Sequence, residues 1–258
     1  QRPSSKIEKE YQSKEIKDYI DYLEKKYQLP SSDFKSKRFG VALFNSMQTS
    51  FMPLNEPNLD ADYVLDFGDV LEVQVLSAKS YTEQVEVKRD GSISLKEIGK
   101  IFVGGLSLGK ADDLIKAKVS SAYLGKQAFT SVVNVRDIQV YVMGEAENPG
   151  LYTLSGNSNV LNALYIAAGI KESGSFRNIL LKRAGKVISS IDLYELFING
   201  NSAFGTRLRS GDVVLIPSTL NTAAIYGGVK RPFEYEFKDG ETVMDLISFA
   251  NGLSLIHI

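Results

Sequence analysis

The sequence predicts an α+β chain of modules in series: an N-terminal helix, a mixed α/β domain, and then a βα unit that occurs twice. Three observations carry this. Apolar residues recur every three or four positions near the start, and every two positions from Asp62 onward. Asp-Gly and Gly/Pro pairs punctuate the alternating runs. The stretch from Val142 to Ile170 returns, without a gap, as Ile225 to Leu253.

From Ser4 to about Gln28, charged residues alternate with Ile7, Tyr11, Ile16, Ile20, Leu23 and Tyr27. This spacing predicts an amphipathic helix that ends before Pro30, solvated on one side with a narrow apolar stripe. Such a stripe serves either for docking or for an oligomer contact. Pro30, Ser31 and Ser32 break the chain, and a new segment begins at Arg38-Phe39-Gly40 and runs through Phe44-Asn45-Ser46. Pro53 and Pro57 mark an extended approach to the next domain.

Between Asp62 and Arg136 the pattern is strand-like. Leu71, Val73 and Val75 alternate with Glu72 and Gln74, the period of a half-buried strand. Arg89-Asp90-Gly91 lies between two such runs, and Asp-Gly is a strong hairpin signal. A helix is predicted from Leu108 to Ser121, with Leu108, Ala111, Leu114, Ile115 and Val119 on one face, and a strand from Ala128 to Val135.

Aligning the repeat places Gly144 on Gly227, Pro149 on Pro232, Tyr152 on Tyr235, Val160 on Val243, Ala167 on Ala250 and Gly169 on Gly252. Identity falls where backbone geometry is demanding: Gly supplies unusual dihedrals, Pro fixes φ, and Gly after an apolar helical run is a C-cap. Each copy reads as strand, tight turn, strand, and short helix. Repeats of this kind are single modules strung in series. The second copy predicts a continuation past Ile258 that supplies a strand matching Val213 to Ile216.

Composition narrows the function. A net charge of −1 with pI near 6.0 gives no electrostatic footprint for nucleic acid or an anionic membrane. The absence of cysteine excludes disulfides, thiol chemistry and thiolate zinc sites. No run approaches the ~18 apolar residues of a membrane-spanning helix. His257 is the only histidine, which argues against a Ser-His-Asp triad or a histidine metal site. Gly104 to Lys110 reads GGLSLGK and fits a phosphate loop until Ala111 stands where Ser or Thr must bind magnesium. The competing account makes Ser107 the N-cap of the helix, with Asp112 and Asp113 near its positive end. With no nucleophile placed beside a base, the chain reads as non-enzymatic, with no catalytic residues, metal or cofactor.

Gly68-Asp69 and Gly211-Asp212 each lead into a Val-rich strand, Gly taking the turn and Asp bonding backbone donors at its end. The run from Asp62 to Val75, RDGSISLKEIGKIFVGGLSL from Arg89 to Leu108, and the helix after it resemble the polysaccharide export domain of bacterial outer-membrane capsule and exopolysaccharide export proteins. VYVMGEAENPGLYTL from Val140 to Leu154, onward through LRSGDVVLIP from Leu208 to Pro217, resembles the SLBB β-grasp module that follows that domain. The two likenesses cover roughly residues 60 to 258 in the family's order. One departure is Asp66-Phe67, where the family more often has Gly and Pro ahead of Gly68-Asp69; it implies an altered turn.

The resemblance implies an N-terminal helix and linker over 1–40, an export domain over 41–137, a first SLBB domain over 138–220 and a truncated second one over 221–258. It implies structural roles for Gly68, Asp69, Arg89, Asp90, Gly91, Gly144, Pro149, Gly150, Gly211 and Asp212. It further implies the periplasmic part of an outer-membrane exporter, a homo-oligomeric ring that conducts capsular or extracellular polysaccharide and meets inner-membrane assembly and export machinery. A monomeric glycan-binding or regulatory SLBB protein of the cell envelope is the alternative, and an enzyme of envelope polysaccharide metabolism a further one. Tyr152, Phe233 and Tyr235 are candidate sugar-stacking residues, although matched repeat positions favour core packing for the two tyrosines.

Overall fold

The strand alternation around Val73 builds the centre of the first of two cores. The computed structural model describes residues 38–41, 59–76, 80–123, 125–201, 206–219 and 221–254. The expected N-terminal helix lies outside these residues. Strand β1 (Val70–Leu76) is flanked by β2 (Tyr81–Glu86) and β5 (Gln127–Asn134), both antiparallel to it. Leu71, Val73 and Val75 point inward and are buried, as the two-residue period predicts. Helix α1 (Leu108–Ala122) covers this sheet with Ala111, Ile115 and Val119, spaced one turn apart along one stripe.

The entry to α1 decides the phosphate-loop question. Ser107 is the N-cap, its side chain accepting from the Lys110 N–H at 3.5 Å. The Leu108 and Gly109 N–H groups donate to the Tyr63 and Ala61 carbonyls at 2.7 and 2.9 Å. Donors that a phosphate would need are already engaged. Asp112 and Asp113 lie beyond the first turn; Asp112 pairs with Lys116 and accepts from the Thr130 N–H at 3.1 Å instead. Replacing Ser107 by Ala is expected to lower stability by about 0.5–1 kcal/mol, read from the denaturant midpoint.

Asp90-Gly91 forms its turn, but not a hairpin between the runs on either side. Lys88 N–H donates to Ser92 and Gly91 N–H to Lys88, both at 2.8 Å, after which β2 pairs with β1 while β3 (Ser92–Leu95) pairs with β4 (Gly99–Phe102). The cause is a close backbone crossing: a Cβ on Gly104 would fall 2.6 Å from the Gly91 Cα, and the Val103 and Gly104 N–H groups both bond the Gly91 carbonyl. Asp90 Oδ1 accepts from the Ser92 N–H and hydroxyl, which fixes the turn locally.

The second core starts with β6 (Asp137–Gly144) and β7 (Gly150–Ser155), then α2 (Val160–Ile166), β8 (Ile179–Arg183), β9 (Lys186–Ile191), α3 (Leu193–Asn199) and β10 (Val213–Ile216). The sheet order is β7-β6-β10-β8-β9, with β10 parallel to β6 and the other pairs antiparallel. Ile138, Val140 and Val142 face the helices.

The repeat is reproduced bond for bond. β11 (Thr222–Ile225), β12 (Phe233–Glu236) and α4 (Val243–Phe249) follow β6, β7 and α2. Asn159 and Thr242 head their helices with capping boxes, and Ala167 and Ala250 are the C-caps. Ala168 and Asn251 both take left-handed φ, 63° and 62°. The Tyr152 hydroxyl donates to the Asn148 carbonyl at 2.6 Å and Tyr235 to Arg231 at 2.8 Å. Asn148 N–H bonds Ala167 and Arg231 N–H bonds Ala250, both at 3.0 Å.

The second copy shares a core with the first, and Arg38–Val41 is built into it. Phe39 is 4% exposed and packs against Tyr194, Phe233 and Tyr235. Its N–H donates to the Glu234 carbonyl at 2.9 Å. Arg38 pairs with Glu236 at 2.9 Å and donates to the Glu172 carbonyl and the Thr219 hydroxyl, while Glu236 also accepts from the Phe176 N–H at 2.8 Å. Arg177 forms a second tie, forked onto Asp192 and Glu241 and held between the Tyr194 and Phe249 rings. Burial raises the Glu241 pKa, but hydrogen bonds from Arg177 and the Lys238 N–H outweigh it and hold the carboxyl below its usual range. A depressed pKa stabilises the fold above the unfolded value and ceases to as pH falls through the folded value. Wild type is therefore expected to lose more stability than Glu241→Gln when unfolding midpoints at about pH 6 and about pH 3 are compared.

Candidate functional site

Asp69 and Asp212, singled out by their Gly-Asp turns, are both fully buried. Gly68 and Gly211 take φ of 93° and 86°, which L side chains rarely adopt. Each turn aims a carboxylate inward, where it requires a full set of donors.

Asp69 has four. Its oxygens accept from the Asp66 N–H, the Arg136 N–H and the Tyr63 hydroxyl, each at 2.9 Å, and from Arg136 Nη1 at 2.7 Å. Arg136 Nη1 also reaches the Tyr63 hydroxyl oxygen and the Val64 carbonyl. Burial, and then the adjacent Asp69 charge, push the Tyr63 hydroxyl pKa well above its ordinary value. Asp212 accepts from the Arg209 N–H at 2.8 Å and from Arg183 through Nε and Nη2, both at 2.8 Å, a bidentate fork. Arg183 Nη2 further donates to the Arg207 carbonyl.

The two turns belong to different cores, yet their arginines meet. Arg136 and Arg183 line one cleft of about 240 Å³ together with Arg207, Arg209, Tyr63 and Asp62. Arg207 donates to the Asn157 carbonyl at 2.6 Å and to Asp60 at 3.3 Å. Gly156 allows the close approach, since a Cβ there would stand 3.1 Å from the Arg136 Cγ. The cleft is thus floored by two arginines fixed from behind and edged by two more.

The cleft runs between an export-type body and a repeat-type body, and the similarities to known proteins divide at the same place. Residues 57–143 match the polysaccharide biosynthesis/export protein family, and residues 138–216 and 222–256 match SLBB domains. The chain thus carries a polysaccharide export domain followed by SLBB domains.

The polysialic acid transport protein KpsD of Escherichia coli is 29% identical over 218 residues, covering 83% of this chain and 38% of that protein. The capsule polysaccharide export outer membrane protein CtrA of Neisseria meningitidis is 24% identical over 210 residues, 73% of this chain and 53% of the relative. The EPS I polysaccharide export outer membrane protein EpsA of Ralstonia solanacearum is 27% identical over 174 residues, 65% and 45%. The chain spans about half the length of these relatives or less.

The remaining family-motif positions lie outside the cleft lining. Arg89 lies over the exposed Phe67 ring at 5.4 Å, where the Asp66-Phe67 departure occurs. Gly144 sits against β10, and Pro149-Gly150 opens β7 of the first SLBB domain. Of the stacking candidates, Tyr235 has no exposed surface and offers nothing to a sugar; burial raises its pKa to about 12. Phe233 and Tyr152 are half-buried and pack on the core. The cleft arginines went unread in the sequence because Arg136 lies 67 residues from Asp69, and Arg183 lies 29 from Asp212. Arg209, inside the LRSGD run, was the one local signal.

Proposed function

We propose that this chain is the periplasmic part of an outer-membrane polysaccharide exporter, one subunit of an oligomeric conduit for capsular or extracellular polysaccharide that works with inner-membrane assembly machinery. The observation that carries the reading is domain order: an export domain directly followed by SLBB domains, matched over residues 57–256. Relatives are named for polysaccharide transport or export, and two of them for the outer membrane. Physical features support a role in guiding rather than converting glycan. The deeply buried carboxylates Asp69 and Asp212 are tied to arginines and backbone donors and have no exposed surface to offer a substrate. Ring closure by heterologous contacts is the general way to enclose a path.

Deleting the gene and complementing it tests the reading. Loss of surface polysaccharide with retention of glycan inside the envelope, restored by the wild-type gene, supports it, as does a discrete ring-sized mass for the full-length protein in mild detergent. Unchanged surface polysaccharide overturns the export role, and a concentration-independent monomer overturns the conduit.

A further inference from the structure

We propose that the arginine cleft between the export domain and the first SLBB domain binds the carboxylate of an acidic sugar unit, so that the wall of the conduit carries a weak site for anionic glycan. The inference rests on the export reading only for the ligand being a glycan.

The chain as a whole is balanced, 30 cationic against 31 acidic side chains, yet four guanidiniums gather here with one lining carboxylate, Asp62. Two of them are pre-oriented. Arg136 and Arg183 are each held by a fully buried aspartate, with side chains 13% and 26% exposed, so little conformational freedom remains to be lost on binding. Their anchoring leaves donors over. Arg136 makes all its side-chain bonds through Nη1, and Arg183 through Nε and Nη2, among the described residues. A planar carboxylate suits such forks better than a neutral hydroxyl.

Arg207 and Arg209 are the adjustable part. The ion pair of Arg207 with Asp60 is 40% and 77% exposed, a contact of the kind that contributes little and can be exchanged for a ligand. Arg209 is exposed and forms no ion pair among the described residues. Because Asp69 and Asp212 neutralise the two inner arginines, and Asp60 and Asp62 stand near the outer two, the net field is small. Weak, reversible contact follows, which suits a moving polymer, since conduction requires release. The cleft volume accommodates one sugar unit rather than a chain.

Titration of the chain with glucuronate, glucose and inorganic phosphate, followed by amide NMR shifts at low and high salt, tests the site. Millimolar glucuronate is expected to shift amides at Tyr63, Arg136, Arg183 and Arg207–Arg209, with no response to glucose and a weaker one to phosphate. Arg207→Gln with Arg209→Gln is expected to weaken the glucuronate response about tenfold while leaving Tm within a few degrees. Equal responses to glucose and glucuronate, a phosphate response as strong, shifts confined to other regions, or an unchanged response in the double variant each overturn the proposal. Glucuronate binding by the wild-type chain, set beside deletion and complementation of its gene, separates the two readings. No glucuronate binding in a protein that still restores surface polysaccharide removes the site alone; binding in a protein whose deletion leaves export intact removes the export reading alone.

Discussion

Arg38→Ala is expected to destabilise the C-terminal half of the protein by about 3–5 kcal/mol, the range for removing one partner of a buried ion pair. Arg38 and Glu236 have side chains only 5% and 8% exposed. The Glu236 carboxyl would keep the Phe176 N–H and the Ser175 hydroxyl as donors but lose the guanidinium paired with it. The denaturant midpoint measures the loss. Hydrogen exchange at Phe39, whose N–H bonds the Glu234 carbonyl, shows whether residues 38–41 come away first. Arg38→Met combined with Glu236→Gln is expected to recover part of the loss, because no buried charge is then left without its partner. A loss below about 1 kcal/mol for the single change would show the pair to be no more than a surface contact.

Gly144→Ala is the second large effect, and its repeat partner is the control. Gly144 has φ of 83°, and a Cβ there would stand 2.1 Å from the Ile216 carbonyl oxygen, a backbone atom fixed in the parallel β6–β10 pairing. Gly227 has nearly the same φ, 80°, with nothing within 4 Å of its Cβ. Dihedral strain alone costs about 1–2 kcal/mol at either position; the clash adds to it only at Gly144. Gly227→Ala is expected to cost about 1–2 kcal/mol and Gly144→Ala more than about 4 kcal/mol, or to prevent folding. Equal midpoints for the two variants would sink this account.

What could be read from the sequence was whatever the backbone dictates locally. Gly144, Ala167, Gly169 and their counterparts mark turns and caps whose geometry depends on a few neighbours, so the repeat was visible and its hydrogen bonds follow it. Gly68-Asp69 and Gly211-Asp212 were legible as turns with an inward carboxylate for the same reason. Partners at long range were not. Asp90-Gly91 announced its turn, but only the crossing of Gly91 with Gly104 decides that β2 and β3 join different sheets. Phe39 sits in a segment with no periodicity of its own, and nothing in that segment says that its neighbours are Tyr194 and Tyr235. The cleft arginines are polar residues beside loops in the sequence; only the fold makes them a group.

The Arg38–Glu236 pair also sets an order of events during synthesis. The two residues are 198 positions apart. At about 5–20 residues per second, roughly 10–40 s pass between the emergence of one and the other. Over that interval Phe39 has neither β12 nor the aromatic cluster to enter, while the export domain, whose core contacts lie between Leu59 and Val135, already has every residue of its own core. The export domain is therefore positioned to form first, and the N-terminal segment to be stitched in last, after the second repeat has arrived. A chain of this design has its longest exposure to misassembly at its beginning.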